Sequence, residues 1–454
     1  QNAHFRIMRY LKRECIIMKG KILVAGAGHG GLSCAANLAK SGFDVTVLEK
    51  QKRENLGYDW DDVFFIDCLD KAGFPKMNEK YYHHSYPLHC TSPNKKDWIL
   101  QDFSGHDLDC SVDRKYLLRY MISFCEECGV KFIFEAEIAS PITDGARVTG
   151  VKVKQDGLFY DFNADLVIDA CGMNSTLRRL LPNKCGIINN FADDEYFTVY
   201  RAFYERNNDL TPDEPYNVYF YHNYEGGVDW VLCEEDYIDV LVGRFGKKLT
   251  REQIDNALAD FRNDYSSLGD KIVRGGQVNT LPIRRMIPMM VCDSYAAIGD
   301  SAGMTIPLIG SGISNSIKAG KILADVIEEC DGDYSRKNLW QYEYRYFNEI
   351  GKDLVLLDIV RKVIISVKGE DVDFMLNNKI LTSSDISMAS GGGFDLNIPA
   401  LAKKGAKLLK NLALVAGAAP KVMGVLKIKK VCDSMPKEYD EKKVSEWIEE
   451  YTAL

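Results

Sequence analysis

A chain of 454 residues, 46% of them hydrophobic, is long enough for roughly two to three domains with a sizeable buried core. Its formal net charge of −8 argues against a nucleic-acid binder, which neutralises phosphates with a clustered excess of lysine and arginine. Thirteen cysteines without a disulfide-like framework read as free thiols of a reducing cytoplasm, and no apolar run reaches the roughly 18 residues that span a bilayer.

Residues 1–17 carry Arg6, Arg9, Lys12 and Arg13 but no apolar core or small-residue cleavage site, so they read as an extension ahead of a natural start at Met18 rather than a secretory signal. The first strand, 21–25, then runs straight into Gly26-Ala27-Gly28-His29-Gly30-Gly31 and a helix-like stretch, 32–40. Gly26 allows the tight turn, Gly28 lets the backbone approach a pyrophosphate, and Gly31 permits close helix–strand packing, with the phosphates at the helix N-terminus. A second strand, 44–48, ends at Glu49, where an acid can hydrogen-bond a ribose hydroxyl. Strand, glycines, helix, strand and acid in that order predict a bound FAD or NAD. His29, inside the loop, is expected to pack or to meet solvent.

Residues 51–110 read as a long, loop-rich insertion, and a loop of that length inside a compact fold is usually functional or carries its own small elements. His83, His84 and His89 lie in it without the acid or cysteine spacing of a metal site, so no metal is expected. Tyr58 is a proton donor by its chemistry, or else a packing residue of the loop. Val112-Asp113-Arg114 opens an amphipathic helix reaching about Cys128. The Cys125-Glu126-Glu127-Cys128 spacing at its end lacks a thioredoxin-like context and reads as ordinary thiols. A strand at 130–134, a hairpin at 148–154 and 158–162, and an apolar strand at 166–168 follow. From 186 to 285 the chain is β-rich, with aromatic and β-branched runs at 196–204, 218–221, 228–233 and 238–245 interrupted by one helix, 251–265. This predicts an antiparallel sheet forming a second lobe.

Glycine-rich chemistry returns at Ile298-Gly299-Asp300-Ser301-Ala302-Gly303, where a strand runs into a turn, then at Gly310-Ser311-Gly312-Ile313 before a helix over 314–329. An Asp at a strand end can hold a ribityl hydroxyl, and free N–H groups at a helix start favour the negative charge of a reduced flavin. Beyond 331 the chain reads as helical, notably 339–367. Residues 396–432 hold no acid and many lysines interleaved with apolar residues, which suits either an anionic membrane surface or a solvated helix face over the core. Gly417 and Pro420 break that segment, and Ser390-Gly391-Gly392-Gly393 reads as a short linker.

Together the Gly26 to Glu49 fingerprint, the Val112-Asp113-Arg114 segment, residues 165–179 and the Gly299-Asp300 motif with its helix resemble the FAD-dependent superfamily that unites aromatic hydroxylases with geranylgeranyl reductases. Gly303, in the place where hydroxylases carry a His, and Ser316-Ile317-Lys318-Ala319-Gly320 are more similar to the reductase branch. Gly226-Gly227-Val228-Asp229-Trp230 likewise resembles that branch's glycine-led aromatic strand, which makes Trp230 a wall of a prenyl pocket or a core tryptophan. The resemblance implies an α/β fold: a Rossmann-type FAD-binding domain (18–185, completed by 286–335), an antiparallel β-sheet substrate lobe (186–285) and a helical C-terminal region (336–454). It implies FAD held by Gly26, Gly28, Gly31, Glu49, Arg114, Ile138, Gly299, Asp300, Gly310, Gly312 and Ile313. Cys171 replaces the acid that hydroxylases carry there, so the electron donor is left open between NAD(P)H and a small ferredoxin-like protein. The implied activity is hydride transfer to C=C bonds of an isoprenoid or similarly hydrophobic substrate, in a cytoplasmic protein that touches the membrane, if at all, through 396–432. The alternatives are a flavin monooxygenase and a non-catalytic flavoprotein that binds lipid at a membrane surface.

Overall fold

The structure is a computed structural model that describes residues 19–102, 109–389, 407 and 427–454. The extension at 1–17, the linker glycines and nearly all of the basic segment 396–432 lie outside the described residues. The strand Lys21–Ala25 sits at the middle of a six-stranded sheet, parallel to Leu166–Asp169 on one side and to Asp44–Leu48 on the other. Lys131–Ile133 and Tyr295–Ala297 extend it in parallel, and Val291–Cys292 closes one edge antiparallel. Ile22, Leu23, Val24 and Ala25 are all 0% exposed, as expected of a strand with helices over both faces. The helices His29–Lys40 and Ile313–Glu329 pack closely: a Cβ on Gly320 would stand 2.6 Å from the Gly30 carbonyl oxygen, and Ser33 Oγ donates to Ile317 O at 2.7 Å.

A second sheet of seven strands runs in the order Leu268–Pro282, Tyr196–Arg206, Ile238–Phe245, Gly227–Cys233, Tyr216–Phe220, Leu88–Thr91, Trp98–Gln101. Two points refine the sequence reading. The stretch 51–110 carries its own small elements, Asp61–Phe65, Tyr82–His84, Leu88–Thr91 and Trp98–Gln101, and its last two strands complete the second sheet. The strands between 196 and 282 pair antiparallel as expected, and Leu88–Thr91 joins them parallel to Tyr216–Phe220. These strands are four residues or shorter in the case of 82–84 and 88–91, and rich in His and Tyr, so they carry too little alternation to be read locally. The helix Arg251–Asp264 covers the back of the sheet, started by a capping box in which Thr250 and Gln253 satisfy each other's backbone N–H. The hairpin at 148–162 gains a third strand, Glu137–Asp144.

The helices Arg336–Tyr346 and Lys352–Ile364, joined by a π-helical turn, lie over both sheets. Glu343 on the first is 0% exposed; its Oε1 accepts from the N–H groups of Met290 and Val291 at 2.6 and 2.9 Å, while Oε2 has no partner among the described residues. Burial pushes this carboxyl up to about 8. A carboxyl whose folded pKa is raised binds its proton more tightly in the folded state, so its contribution is full below its ordinary pKa of about 4.3 and is lost as pH rises through 8. Thermal stability is therefore expected to decline between pH 5 and 8, by a share worth a few kcal/mol at about 1.4 per pKa unit. Glu343→Gln keeps both N–H contacts, and melting curves across that range should then lose this slope.

Candidate active site

The carboxyl ends of the parallel strands converge on an open cradle. Gly26 has φ +98°, and a Cβ there would stand 2.4 Å from the Ala170 carbonyl oxygen, so the turn out of the first strand admits only glycine. Gly31 is equally tight, with Ala170 Cβ at 2.7 Å from the place its own Cβ would take. Gly28 differs: a Cβ there would meet only Ala170 O at 3.5 Å, which leaves open space before the helix N-terminus. No side chain among the described residues caps that helix, so its first N–H groups face this space. Glu49 Oε2 accepts the Ala27 N–H at 2.9 Å and Oε1 the Gln51 N–H at 2.9 Å, which fixes the carboxylate at the end of the second strand. Ile138 lies beside it on Glu137–Asp144, two residues beyond Ala136, whose N–H bonds Glu49 O at 2.9 Å.

Gly299, at φ +68°, turns the chain so that Asp300 stands at the start of a short 3-10 turn. The Asp300 carboxylate makes no hydrogen bond among the described residues; burial raises its pKa and the Arg114 charge opposes that rise. Gly312 caps the second helix, Ile313–Glu329, without a side-chain bond, and a Cβ there would lie 3.4 Å from Asp300 Oδ1. Gly310, at φ +67°, abuts Leu281, and Ile313 is 8% exposed at the helix start. His29 is not a solvent residue. Its Nε2 is buried with no partner among the described residues, and burial together with the Arg114 charge lowers its pKa to about 4, so the ring is neutral. Two uncapped helix N-termini, a carboxylate without a donor, a buried imidazole nitrogen without a partner and a glycine cradle left open together fit a flavin dinucleotide. Asp300→Ala should raise the dissociation constant for FAD by about 10- to 100-fold, the loss of a charged hydrogen bond, as read by flavin retained on ultrafiltration.

Arg114 closes the other side. It forms a bidentate pair with Asp62, Nη2 to Oδ1 at 2.6 Å and Nε to Oδ2, and its guanidinium lies 5.1 and 5.2 Å from the Tyr58 and Trp60 rings. Beyond these rings lies an apolar cluster of Trp60, Val199, Phe203 and Leu241, with Tyr58, Trp230 and Leu281 packed against it. The structure thus brings Tyr58 and Trp230, far apart in sequence, to one wall. Tyr58 O–H donates to Asn279 Oδ1 at 2.8 Å, and its pKa is raised by burial against the opposing Arg114 charge. Trp230 pairs with Leu241 and Val218 across the sheet, takes the Arg201 guanidinium 5.3 Å over its ring, and leaves its buried Nε1 without a partner among the described residues.

Sequence reading missed the residues that fasten this wall. Arg274 Nη1 binds Asp61 Oδ2 at 2.9 Å and its Nη2 binds Asp113 at 2.7 Å, while Arg201 grips Asp239 and donates to Asp61 O at 2.5 Å. An arginine facing inward from the aromatic strand Tyr196–Arg206 is the one local signal that could have flagged Arg201. Cys171 is equally tied down: its Sγ donates to Ala25 O at 3.3 Å and burial raises its thiol, which disfavours the nucleophilic thiolate. Among the described residues no group of His, Cys, Asp or Glu could hold a metal, and no helix is long and apolar enough to cross a membrane.

The family model described as an FAD binding domain matches residues 19–345. Among curated proteins, digeranylgeranylglycerophospholipid reductase 1 of Methanococcoides burtonii is 26% identical over 405 residues, covering 86% of this chain and 94% of the relative. The digeranylgeranylglycerophospholipid reductase of Sulfolobus acidocaldarius is 23% identical over 438 residues, 92% of each. Among solved structures, a geranylgeranyl bacteriochlorophyll reductase-like protein of Thermoplasma acidophilum superposes with a TM-score of 0.71 at 17% identity, over 87% of this chain and 99% of that one. A flavin-dependent brominase, Bmp2, superposes at 0.61 and 17% identity over 86% and 98%, so the fold itself spans several chemistries.

Proposed function

Because this chain belongs to the FAD-binding-domain family, in the geranylgeranyl-reductase-like branch of the FAD-dependent oxidoreductases, we propose that it reduces C=C bonds of an isoprenoid lipid. The observation that carries the reading is the aromatic wall of Tyr58, Trp60 and Trp230 standing directly beside the Asp300 and Arg114 corner. When bound and reduced, FAD supplies a hydride equivalent. Gly26, Gly28, Gly31 and the two helix N-termini would hold its phosphates and pyrimidine edge, Glu49 and Ile138 its adenosine end, and Asp300 its ribityl chain. The apolar wall orients the alkene and excludes water. Tyr58, kept protonated by burial and held by Asn279, gives its O–H proton to the second alkene carbon, so that one hydride and one proton complete the reduction. The similarity to relatives named as digeranylgeranylglycerophospholipid reductases supports a lipid carrying several such bonds.

The test is anaerobic. FAD-loaded protein reduced with dithionite is mixed with geranylgeranyl lipids, and flavin absorbance is followed together with product mass. Flavin reoxidation with a gain of about two mass units per double bond is the expected result. Reoxidation only on admitting air, with an oxygen atom found in the product, would replace this reading with oxygen transfer.

A further inference from the structure

Outside the flavin cradle, a cleft of about 330 Å³ separates the carboxyl edge of the parallel sheet from the outer strand of the second sheet. Arg178, Arg179, Lys247, Asn174, Asn190 and Thr280 line it, and among the described residues no carboxylate does. The charge on Arg178 is poorly compensated. Its side chain is 1% exposed; Nη1 donates to Ser301 O at 2.8 Å and Nη2 to Met173 O at 2.6 Å, both neutral carbonyls, the guanidinium lies 3.9 Å from the Phe191 ring centroid, and its buried Nε has no partner among the described residues. Asp169, the acid whose field reaches it, is already engaged by the Cys171 N–H at 3.0 Å, the Ser175 hydroxyl at 2.5 Å and the Tyr295 hydroxyl at 2.7 Å. A buried cation without an ion pair is held at a cost, and an anion in the cleft would offset it. Lys247 does pair with Asp193 at 2.6 Å, but that acid's side chain is 87% exposed and water can replace the contact. Arg179 is exposed and makes no ion pair among the described residues.

We infer that this cleft is a phosphate-ester subsite, in which Arg178, Arg179 and Lys247 neutralise a phosphate or diphosphate and Asn174, Asn190 and Thr280 hydrogen-bond its oxygens. Its volume is at the lower end for small-ligand sites, enough for a charged head group and too small for a whole dinucleotide. Thr280 adjoins Asn279, which holds the Tyr58 hydroxyl, and successive strand residues face opposite sides, so cleft and aromatic wall lie across one edge strand from each other. The phosphate has two chemical sources: the head of a phosphorylated prenyl substrate whose chain rounds that edge, which rests on the proposed reductase reading, or the phosphates of a nicotinamide donor, which does not.

The experiment uses FAD-loaded protein and the double variant Arg179→Ala/Lys247→Ala, both exposed positions whose loss should leave folding intact. Calorimetric titration with inorganic pyrophosphate is expected to give binding that falls with salt and weakens at least about tenfold in the variant. Unchanged binding, or none in either protein, overturns the proposal. KM is then compared for geranylgeranyl diphosphate and geranylgeraniol with dithionite as donor, and for NADPH in flavin reduction. A rise confined to the diphosphate assigns the cleft to the substrate, and a rise confined to NADPH assigns it to the donor. Weakened pyrophosphate binding with every KM unchanged marks an adventitious anion site and also overturns the proposal. If no alkene is reduced at all, the reductase reading fails, while the titration and the NADPH arm still decide the cleft.

Discussion

Gly26→Ala is expected to destabilise the protein by about 3 kcal/mol and to abolish FAD retention, whereas Gly28→Ala should abolish retention with almost no loss of stability. The two glycines are separated by one residue, yet their surroundings differ in kind. At Gly26 a methyl group meets backbone, Ala170 O at 2.4 Å and Ala170 C at 2.8 Å, and the φ of +98° is strained for any L side chain. Backbone cannot step aside as a flexible side chain can, and both segments continue directly from adjacent central strands. At Gly28 the same methyl group finds open space and an extended φ of −75° that any residue adopts. Only a phosphate brought against the helix N-terminus would collide with it. Melting temperature of the flavin-free proteins, set beside flavin absorbance per chain, separates the cases; equal melting temperatures for both variants would refute the distinction.

Tyr58→Phe should lower the rate of alkene reduction by about 10²- to 10⁴-fold while leaving FAD bound, the range for loss of a positioned general acid. The ring would keep its place against Trp60 at 4.6 Å and under the Arg114 guanidinium, so packing is preserved and only the O–H to Asn279 is lost. The pH dependence supplies a second readout. Burial raises the phenol pKa, so the acid form persists above the ordinary value of about 10, and wild-type turnover should fall only on the alkaline side of that value. The Phe variant, slow throughout, should lack that limb. A variant with unchanged rate would move the proton donor to water or another group.

The arrangement of the glycine cradle was legible because its elements are local. Gly26, Gly28, Gly31 and Glu49 lie within one strand–helix–strand unit, and Asp300 with Gly312 lies within one strand–turn–helix segment, so spacing alone sets their mutual arrangement. The aromatic wall was not. Asp62 meets Arg114, Asn279 meets Tyr58, and Arg274 meets Asp61 and Asp113 only through tertiary packing, and no short-range pattern connects residue 61 with 274 or 58 with 279. The strands of three or four residues after Glu49 could not be delimited one by one, because Tyr82–His84 pairs with Asp109–Asp113 and Leu88–Thr91 with Tyr216–Phe220, both distant in sequence. His29 shows the limit at a single position: the sequence places it in the loop, but only the surroundings remove its charge.

The borrowed strands of the second sheet bear on how the chain is made. Leu88–Thr91 emerges from the ribosome long before Tyr216–Phe220, the strand it pairs with, and the six-stranded sheet likewise waits for Tyr295–Ala297. Neither sheet can close on a nascent chain shorter than its last member, so the early strands must pass through synthesis with unpaired edges and uncovered aromatic faces. Expression of amino-terminal fragments should accordingly yield aggregates, and occupancy by flavin would follow completion of the chain instead of accompanying it.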